Sequence, residues 1–579
     1  FVAPSSSSRA GRSPHIRPSA LLPSWLLRRM SGRPSKQAKK TGGSGPAPVA
    51  EKSASPTGGI LVPTSLDVIL MDRIRCLVHI VLLVLLIPTS CLYAAFVYCK
   101  EACASRETAT SSAEEAKSPP GSGKKEVITV LVTGAKMSKS LHLARCLKRA
   151  DPERVKIVLI EIEKYWLSGS RFSNVVDVFE TVSNPRTDPE AYHRDLMALA
   201  VKHNVDVFVP VSAPVSSVYD AKFGEAFAEM RRERRGDVVT PALCLSEKLC
   251  RIFDDKHTFS EFCETNGLPG ILKSFCVRSD AEVLALNEKL LSADKKAEGQ
   301  KYILKNLAYD PIHRLDLFQL PCRDLEKLRA YLGKVAADGN AITAEEPWQV
   351  QAFVDVKAMA AQEYSAALLI KNGQLRMMTV CESSASQLNY DHVHVPEVER
   401  WVRMFAEKCF SASDSGLICL DFICCTNTES GIREAHPLEC NPRVHSQCSV
   451  FSSYDMQRKL GRAALFGGST DGGAAEGVLM PVEKQEPLFF FANELLKAVP
   501  EAVQFGLGLR YGPKEPKSEA LLQILLKQKE ADFDVRDPLP FLFRNHFQLP
   551  LLLVSTLFSA REWKKCDFCI GKVVEVGGD

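Results

Sequence analysis

Two hydrophobic rhythms alternate along the chain, and the points where one gives way to the other outline its organisation. Val127-Ile128-Thr129-Val130-Leu131-Val132 is a short, nearly unbroken apolar run, as in a strand covered on both faces. Thr133–Met137 turns, and Ser138–Arg149 then sets Leu141, Ala144 and Leu147 at helical spacing. Val155–Ile160 and Val205–Val211 repeat the strand rhythm on either side of a helix around Tyr192–His203. Strand–helix alternation of this kind predicts a parallel α/β domain over residues 126–245. Its first turn has one glycine rather than G-x-G-x-x-G, so it predicts no dinucleotide site.

Further on the rhythm changes. Asp254-Asp255-Lys256 opens a helix running through Cys263, with aspartate as its cap. Lys301–Lys305, Trp348–Val354 and Glu363–Ile370 read as strands, the last ending in a turn at Lys371-Asn372-Gly373. Leu417–Ile423 and His436–Arg443 complete a second domain, α+β and two-lobed, over 246–470. Residues 471–579 form a further C-terminal region, in which Leu539–Phe558 is apolar but carries Arg544, Asn545 and His546. It is expected to be a packed or interfacial helix rather than a span.

The amino-terminal part has a third pattern. Residues 76–99 (CLVHIVLLVLLIPTSCLYAAFVYC) carry His79 as their only readily charged side chain. A helix of this length crosses a hydrocarbon core of about 30 Å. Tyr93 and Tyr98 suit an interface, and Pro88 is tolerated in such a helix. A single transmembrane helix is therefore expected over 74–99, anchoring the rest of the chain. Arg73 and Arg75 precede it and Lys100 follows, so the sidedness stays open. Residues 1–63 are rich in Ser, Pro, Gly and Arg and are expected to be a disordered, targeting-like tail, which leaves an organellar address open. Residues 100–125 are a Ser/Ala/Lys/Pro/Gly linker.

Composition adds two limits. The net charge is +4, but nine Lys/Arg and no Asp or Glu lie in the first fifty residues, which leaves the remainder at −5. No nucleic-acid surface is implied. The 19 cysteines are scattered, with Cys566 and Cys569 as the one C-x-x-C, so reduced thiols in a reducing compartment are expected.

The chemistry concentrates in the paired stretches ending the second domain. If they are neighbouring strands, Asp421 comes near Glu439 and Asn441, which share a face because side chains alternate. Two carboxylates and an amide oxygen make a hard-oxygen cradle suited to Mg2+ or Mn2+, and Arg443 just beyond can hold a phosphoryl group. A cation at Lys305, within an apolar strand, calls for an anion. The loops Gly134–Ser138, Lys164–Asn174 and Ser212–Ser217 bring hydroxyls and cations to the carboxyl ends of the first domain's strands, where a small polar ligand binds.

Lys256, Lys305, Glu363, Asp421, Glu439, Asn441 and Arg443, in that order over roughly 127–450, resemble the ATP-grasp superfamily. A narrower resemblance rests on Lys164–Asn174 (KYWLSGSRFSN), Lys301–Leu304 (KYIL), Glu439–Arg443 with His445-Ser446, and Ile570–Asp579. These look like the mycosporine-glycine synthase type of ATP-grasp ligase, which also carries a hydrophobic amino-terminal segment. The resemblance implies ATP-dependent joining of 4-deoxygadusol to glycine, with ADP and phosphate released. It implies that Lys256 and Lys305 contact ATP phosphates, that Gln351, Phe353 and Glu363 lie along the adenosine, and that Asp421, Glu439 and Asn441 hold the metal. Arg443, with Lys305, would act on the transferring phosphoryl group. Arg171, Ser173, Ser212, Ser216, Asp310, Arg314 and His445 are the substrate candidates. The family's Gln-Glu-Phe hinge is here Gln351-Ala352-Phe353, and Asp355–Gln362 is a longer turn, which bears on nucleotide affinity. A different acceptor, a membrane-anchored nucleotide-binding pseudoenzyme and a homo-oligomeric assembly remain open.

Overall fold

The computed structural model describes residues 66–108, 126–214, 216–235, 240–293, 300–307, 317–355, 359–383, 390–426, 431–466, 477–482, 486–494, 523–558, 563–567 and 569–575. The expected tail over 1–63, and Asp310 and Arg314, lie outside these residues.

Two helices open the described chain: α1 (Leu66–Leu85) and α2 (Ile87–Thr108). They meet at a bend of 45°. Among the described residues no single helix is long and apolar enough to cross a membrane, although the bent pair passes that test together. The one straight helix expected over 74–99 is thus two. Pro88 explains the break: it has no N–H to give and its ring crowds the turn before it. The second helix also runs to Thr108, into the stretch expected to be linker. One flank of the pair is buried. Cys76 and Leu83 join the main core, and Tyr93 stacks on Phe491 at 5.1 Å between ring centroids.

The first sheet is β1 (Ile128–Val132), β2 (Val155–Ile162), β3 (Val178–Val182) and β4 (Val207–Val209), all parallel in the order β3-β2-β1-β4. Helices α3 (Ser138–Ala150), α4 (Pro189–Lys202) and α5 (Ser217–Arg235) accompany it. The turn between β1 and α3 depends on Gly134, at φ +73°, where a Cβ would strike the carbonyl of Val211. That tight turn brings the start of α3 against the loop after β4.

Helices α6 (Glu247–Asp254) and α7 (Lys256–Thr265) lead out of this domain. Asp255 caps α7, its carboxylate accepting from the backbone N–H groups of His257 at 3.0 Å and Thr258 at 2.8 Å. A second sheet follows, made of β5 (Ser274–Val277), β6 (Tyr302–Asn306), β7 (Phe318–Leu320) and β8 (Trp348–Ala352), in the order β5-β8-β6-β7 and antiparallel. Leu304, Val350 and Trp348 pack into a small core with Val283, Leu328 and Leu332 from helices α8 (Asp280–Ala293) and α9 (Leu325–Ala337). The opposite face carries Lys305, Gln349 and Gln351. Lys305 and Gln349 are register partners, and Gln351 lies two residues on.

The third sheet holds β9 (Gln362–Lys371), β10 (Gln374–Glu382), β11 (Gly416–Thr426) and β12 (Arg433–Asn441), antiparallel in the order β10-β9-β11-β12. One face packs Leu368, Leu420, Phe422 and Cys440 with Trp401 and Phe405 of α10 (Pro396–Cys409). On the other face, Leu369 and Leu417 enter the core that also contains β1 and α3.

The carboxyl-terminal region is built into this body. Helix α11 (Tyr454–Phe466) lies on α3 so closely that a Cβ at Gly461 would overlap the carbonyl of Cys146. The short pair β13 (Leu488–Phe489) and β14 (Lys529–Glu530) leads to Asp532, Asp534 and Asp537, which take Arg544 at 3.1 Å, Arg149 at 2.7 Å and Arg145 at 2.9 Å. The apolar stretch of this region forms α12 (Leu539–Phe543), one π-helical turn over Arg544–Gln548 and α13 (Leu549–Leu557). Arg544, Asn545, His546 and Gln548 are buried, so this is a packed helix. A hairpin of β15 (Trp563–Asp567) and β16 (Lys572–Glu575) closes the described chain.

Candidate functional site

β11 and β12 pair in register so that Asp421 lies opposite Glu439 and Cys419 opposite Asn441. Cross-strand partners share a face, so Asp421 and Glu439 point to the same side. A bulge between Asp421 and Phe422 leaves Leu438 as the extra residue and interrupts the ladder beside the two carboxylates. On the neighbouring strand Ser365 is the register partner of Asp421, and its hydroxyl donates to Asp421 Oδ1 at 2.7 Å. Glu363 lies two residues before it, on the same face and exposed.

The surrounding groups form one connected set. Lys256, in the first turn of α7, reaches Glu439 at 3.0 Å. Asn441 Nδ2 donates to Asp421 Oδ2 at 3.2 Å. Arg443 donates to Asn441 Oδ1 and to Asp254 Oδ1, pinning the segment after β12 to the end of α6. Ser217, at the start of α5, donates to the other oxygen of Asp254 at 3.2 Å. Burial alone would raise the Glu439 carboxyl. Lys256, a hydrogen bond with Asp421 and the charge on Lys305 hold it well below the usual carboxylate range.

Lys305 completes the site from the second sheet. Its ammonium donates to Gln351 Oε1 at 3.1 Å. Burial pushes it below the ordinary lysine value, while Glu439 and Glu363 pull it back up. Gln351 Nε2 and both side-chain polar atoms of Gln349 are buried without a hydrogen-bond partner among the described residues. Buried amides left unpaired are costly, so this face fits a polar ligand. Phe353, just past β8, donates its N–H to the carbonyl of Lys301 at 2.7 Å.

The structure therefore brings together Lys256, Lys305, Gln351, Asp421, Glu439, Asn441 and Arg443, with Glu363 and Phe353 at the edge. Among the described residues no point is surrounded by three or more His, Cys, Asp or Glu side chains. The candidate cation cradle is instead two carboxylates and an amide, which suits a hard divalent ion that keeps several positions for water or phosphate.

The substrate candidates divide. Ser212, Ser216 and His445 adjoin the site. Ser212 donates to Asp220 Oδ2 at 2.5 Å, and Tyr192 donates to its other oxygen at 2.6 Å. Asp220 is 1% exposed, and burial pushes its carboxyl up to about 6 against hydrogen bonds from Ser212, Tyr192 and Ser216. His445 is pushed down to about 3 by burial and by Lys139 and Arg443, so its ring is neutral. Arg171 and Ser173 are not brought here. Arg171 lies over the Trp166 and Phe179 rings at 5.7 and 5.0 Å, and Ser173 donates to Asp537 at 2.6 Å. Ser173 serves the junction with the carboxyl-terminal region, whereas Arg171 is exposed and packs on side chains of its own domain.

Three contributors were not singled out from sequence. Asp254 and Ser365 hold Arg443 and Asp421 in place, and Lys139 lies under the loops at Ser212 and His445. Lys139 stands among four other basic side chains of α3 (His142, Arg145, Lys148 and Arg149), so nothing in the sequence set it apart.

No family model matches the chain, and no curated protein matches it. Solved structures resemble it over more than half its length. The biotin carboxylase domain of 2-oxoglutarate carboxylase from Hydrogenobacter thermophilus, in complex with MgADP, ADP and bicarbonate, is 15% identical, at TM-score 0.41 over 59% of this chain and 70% of that one. N5-carboxyaminoimidazole ribonucleotide synthetase from Thermotoga maritima is 13% identical, at TM-score 0.37 over 58% and 75%. Phosphoribosylamine–glycine ligase from the same organism is 11% identical, at TM-score 0.35 over 55% and 69%. Similarity this low carries no functional weight, and function is read from the side chains.

Proposed function

We propose that the protein is an ATP-dependent, ADP-forming ligase of the ATP-grasp type, which joins an amine to a vinylogous acid: glycine to 4-deoxygadusol. The supporting observation is the single connected set in which Lys256 meets Glu439 at 3.0 Å and Asn441 meets Asp421 at 3.2 Å, with Lys305 facing them from the second sheet.

Each residue then has a defined task. Lys256 and Lys305 hold phosphate oxygens of ATP, and Lys256 exchanges Glu439 for phosphate as the nucleotide enters. Gln351, Phe353 and Glu363 lie along the nucleoside. Asp421, Glu439 and Asn441 would hold Mg2+, which when bound supplies charge neutralisation for the phosphoryl oxygens. Arg443, kept in place by Asp254 and Asn441, steadies the transferring group. An enolate oxygen of the acceptor attacks the terminal phosphorus; an O–P bond forms and the bond to ADP breaks. The amine nitrogen then attacks the activated carbon; the C–N bond forms, the C–O bond breaks, phosphate leaves and the nitrogen gives up a proton.

A nucleotide-binding protein without turnover is the second reading, favoured by Ala352 where a carboxylate would lie along the nucleotide. The apolar surface of residues 76–99 further supports attachment to a membrane, with the catalytic body in a reducing compartment.

The test is ADP and product formation from ATP, Mg2+, 4-deoxygadusol and glycine, in the parent and in Glu439→Gln. The expected result is turnover that requires both substrates and falls about a hundredfold or more in the variant. Absence of turnover in the parent, with ATP still bound, selects the second reading. Equal turnover in parent and variant overturns the site.

A further inference from the structure

Lys139 is a buried cation with no anion beside it among the described residues. Its side chain follows the tight turn at Gly134 and is 6% exposed. The ammonium donates to the carbonyls of Val444 at 2.6 Å and Ser212 at 3.3 Å. Among the described residues it has no third acceptor and no carboxylate partner. The charged and titratable groups that bear on it are Arg443, His445 and the thiols of Cys569, Cys448 and Cys419. A second cation and three thiols do not compensate a buried charge.

The protein contains a useful contrast. Lys371 is also buried, at 4%, and donates to the carbonyls of Ala464 and Leu465 at 2.7 Å each. Those carbonyls are the free C-terminal end of α11, where a cation is stabilised by the helix dipole. Val444 and Ser212 end no helix. They belong to the segment after β12 and the loop after β4. On these two segments Ala213, Pro214, Asn441, Arg443 and His445 are partly exposed, whereas Lys139 is buried beneath them.

We propose that Lys139 holds an ionised oxygen of the acceptor, in a subsite floored by Lys139 and rimmed by Arg443, His445 and Ser212. The inference rests on the ligase reading of the neighbouring site. Arg443 is the link: it touches Asn441 on one side and bears on Lys139 on the other, so an oxygen held at Lys139 lies beside the group that transfers phosphoryl. The ligand class follows from the chemistry. Arg443 is already paired with Asp254, so Lys139 is the uncompensated charge, and with a neutral imidazole, a hydroxyl and backbone groups nearby it selects a compact monoanion with further hydroxyls, such as a ring enolate, over a dianion or an apolar acid. Lys139 binds this anion; it is not asked to move a proton.

The experiment measures KM for 4-deoxygadusol and for ATP in the parent, Lys139→Met, Lys139→Gln and Lys139→Arg. The uncharged variants are expected to raise KM for 4-deoxygadusol by roughly ten- to a hundredfold, leaving KM for ATP within about twofold. Lys139→Arg should recover at least part of the loss, which a merely structural role would not give. If Lys139→Met does not fold, Lys139→Gln makes the same comparison, because it keeps a donor for Val444 and removes only the charge. A parent that turns over, with uncharged variants showing unchanged acceptor KM or equal changes in both KM values, overturns the proposal and leaves the ligase reading standing. A parent that neither binds nor turns over 4-deoxygadusol by calorimetry and assay overturns both.

Discussion

Asp220 offers a test whose sign is fixed by the fold. Its carboxyl is buried beneath the loop that carries Ser212 and Ser216, with hydroxyls as its hydrogen-bond donors. Burial raises it from 3.8 to about 6, so between those values the folded chain binds the proton more tightly than the unfolded chain does. A group raised in this way contributes stability that is fully present below its unfolded value and is lost as pH rises through its folded value. The whole shift corresponds to about 3 kcal/mol, of which about 2 kcal/mol falls between about pH 4.5 and about pH 7.5.

Asp220→Asn removes the titration but keeps the shape. The amide oxygen accepts one hydroxyl and its NH2 donates to the other, which can turn to accept. Urea melts of parent and variant at those two pH values isolate the effect, because every other titrating group cancels in the difference. The variant should gain on the parent by about 2 kcal/mol on going from the acid to the neutral condition. An unchanged difference, or one that moves the other way, would refute the claim that Asp220 is held at a cost beneath this loop.

Gly461→Ala should lower the melting temperature by a few degrees, a cost of about 1–3 kcal/mol, because the new methyl meets the backbone carbonyl of Cys146 rather than a movable side chain; an unchanged melting temperature counts against the close approach of α11 to α3. The full chain should co-sediment with lipid vesicles and be released by alkaline carbonate. Resistance to carbonate would mean that α1 and α2 leave the body and span the bilayer.

Much of the candidate site was legible in the sequence because strand alternation is a local rule. Asp421, Glu439 and Asn441 share a side by counting, given only that β11 and β12 are neighbours. The bulge that sets Leu438 aside was not legible, since it depends on the paired strand. Ser173 shows the opposite failure. A loop rich in hydroxyls and cations looks the same whether it awaits a ligand or, as here, meets Asp537 more than three hundred residues away. The carboxyl-terminal region was opaque for the same reason: its acids are spaced for Arg145, Arg149 and Arg544, and nothing local marks them as partners. Lys139 has a related history. Its neighbours Ser212 and Val444 come from two distant segments, so the absence of a carboxylate becomes visible only after folding.

The helix pair shows how packing changes a conclusion drawn from hydropathy. A helix crossing a bilayer must be apolar, or covered by protein, on every side through the hydrocarbon. Here α1 and α2 have two unlike flanks. On one, Cys76, Leu83 and Tyr93 are buried in the body, and His546 bonds the carbonyl of Leu83 at 2.7 Å. On the other, Leu70, Ile74, Leu77, Val81 and Leu92 are exposed. The buried flank ties the middle of the hydrophobic stretch to a body whose polar surface cannot follow it into lipid. With that flank docked, only the exposed side chains can meet the acyl chains, at a depth of about 5–10 Å, as for a helix lying in the interface. The same residues that read as a span therefore form, in the docked state, one exposed apolar edge of the body, and the 45° bend lets that edge continue past Pro88 without breaking the contact of Tyr93 with Phe491.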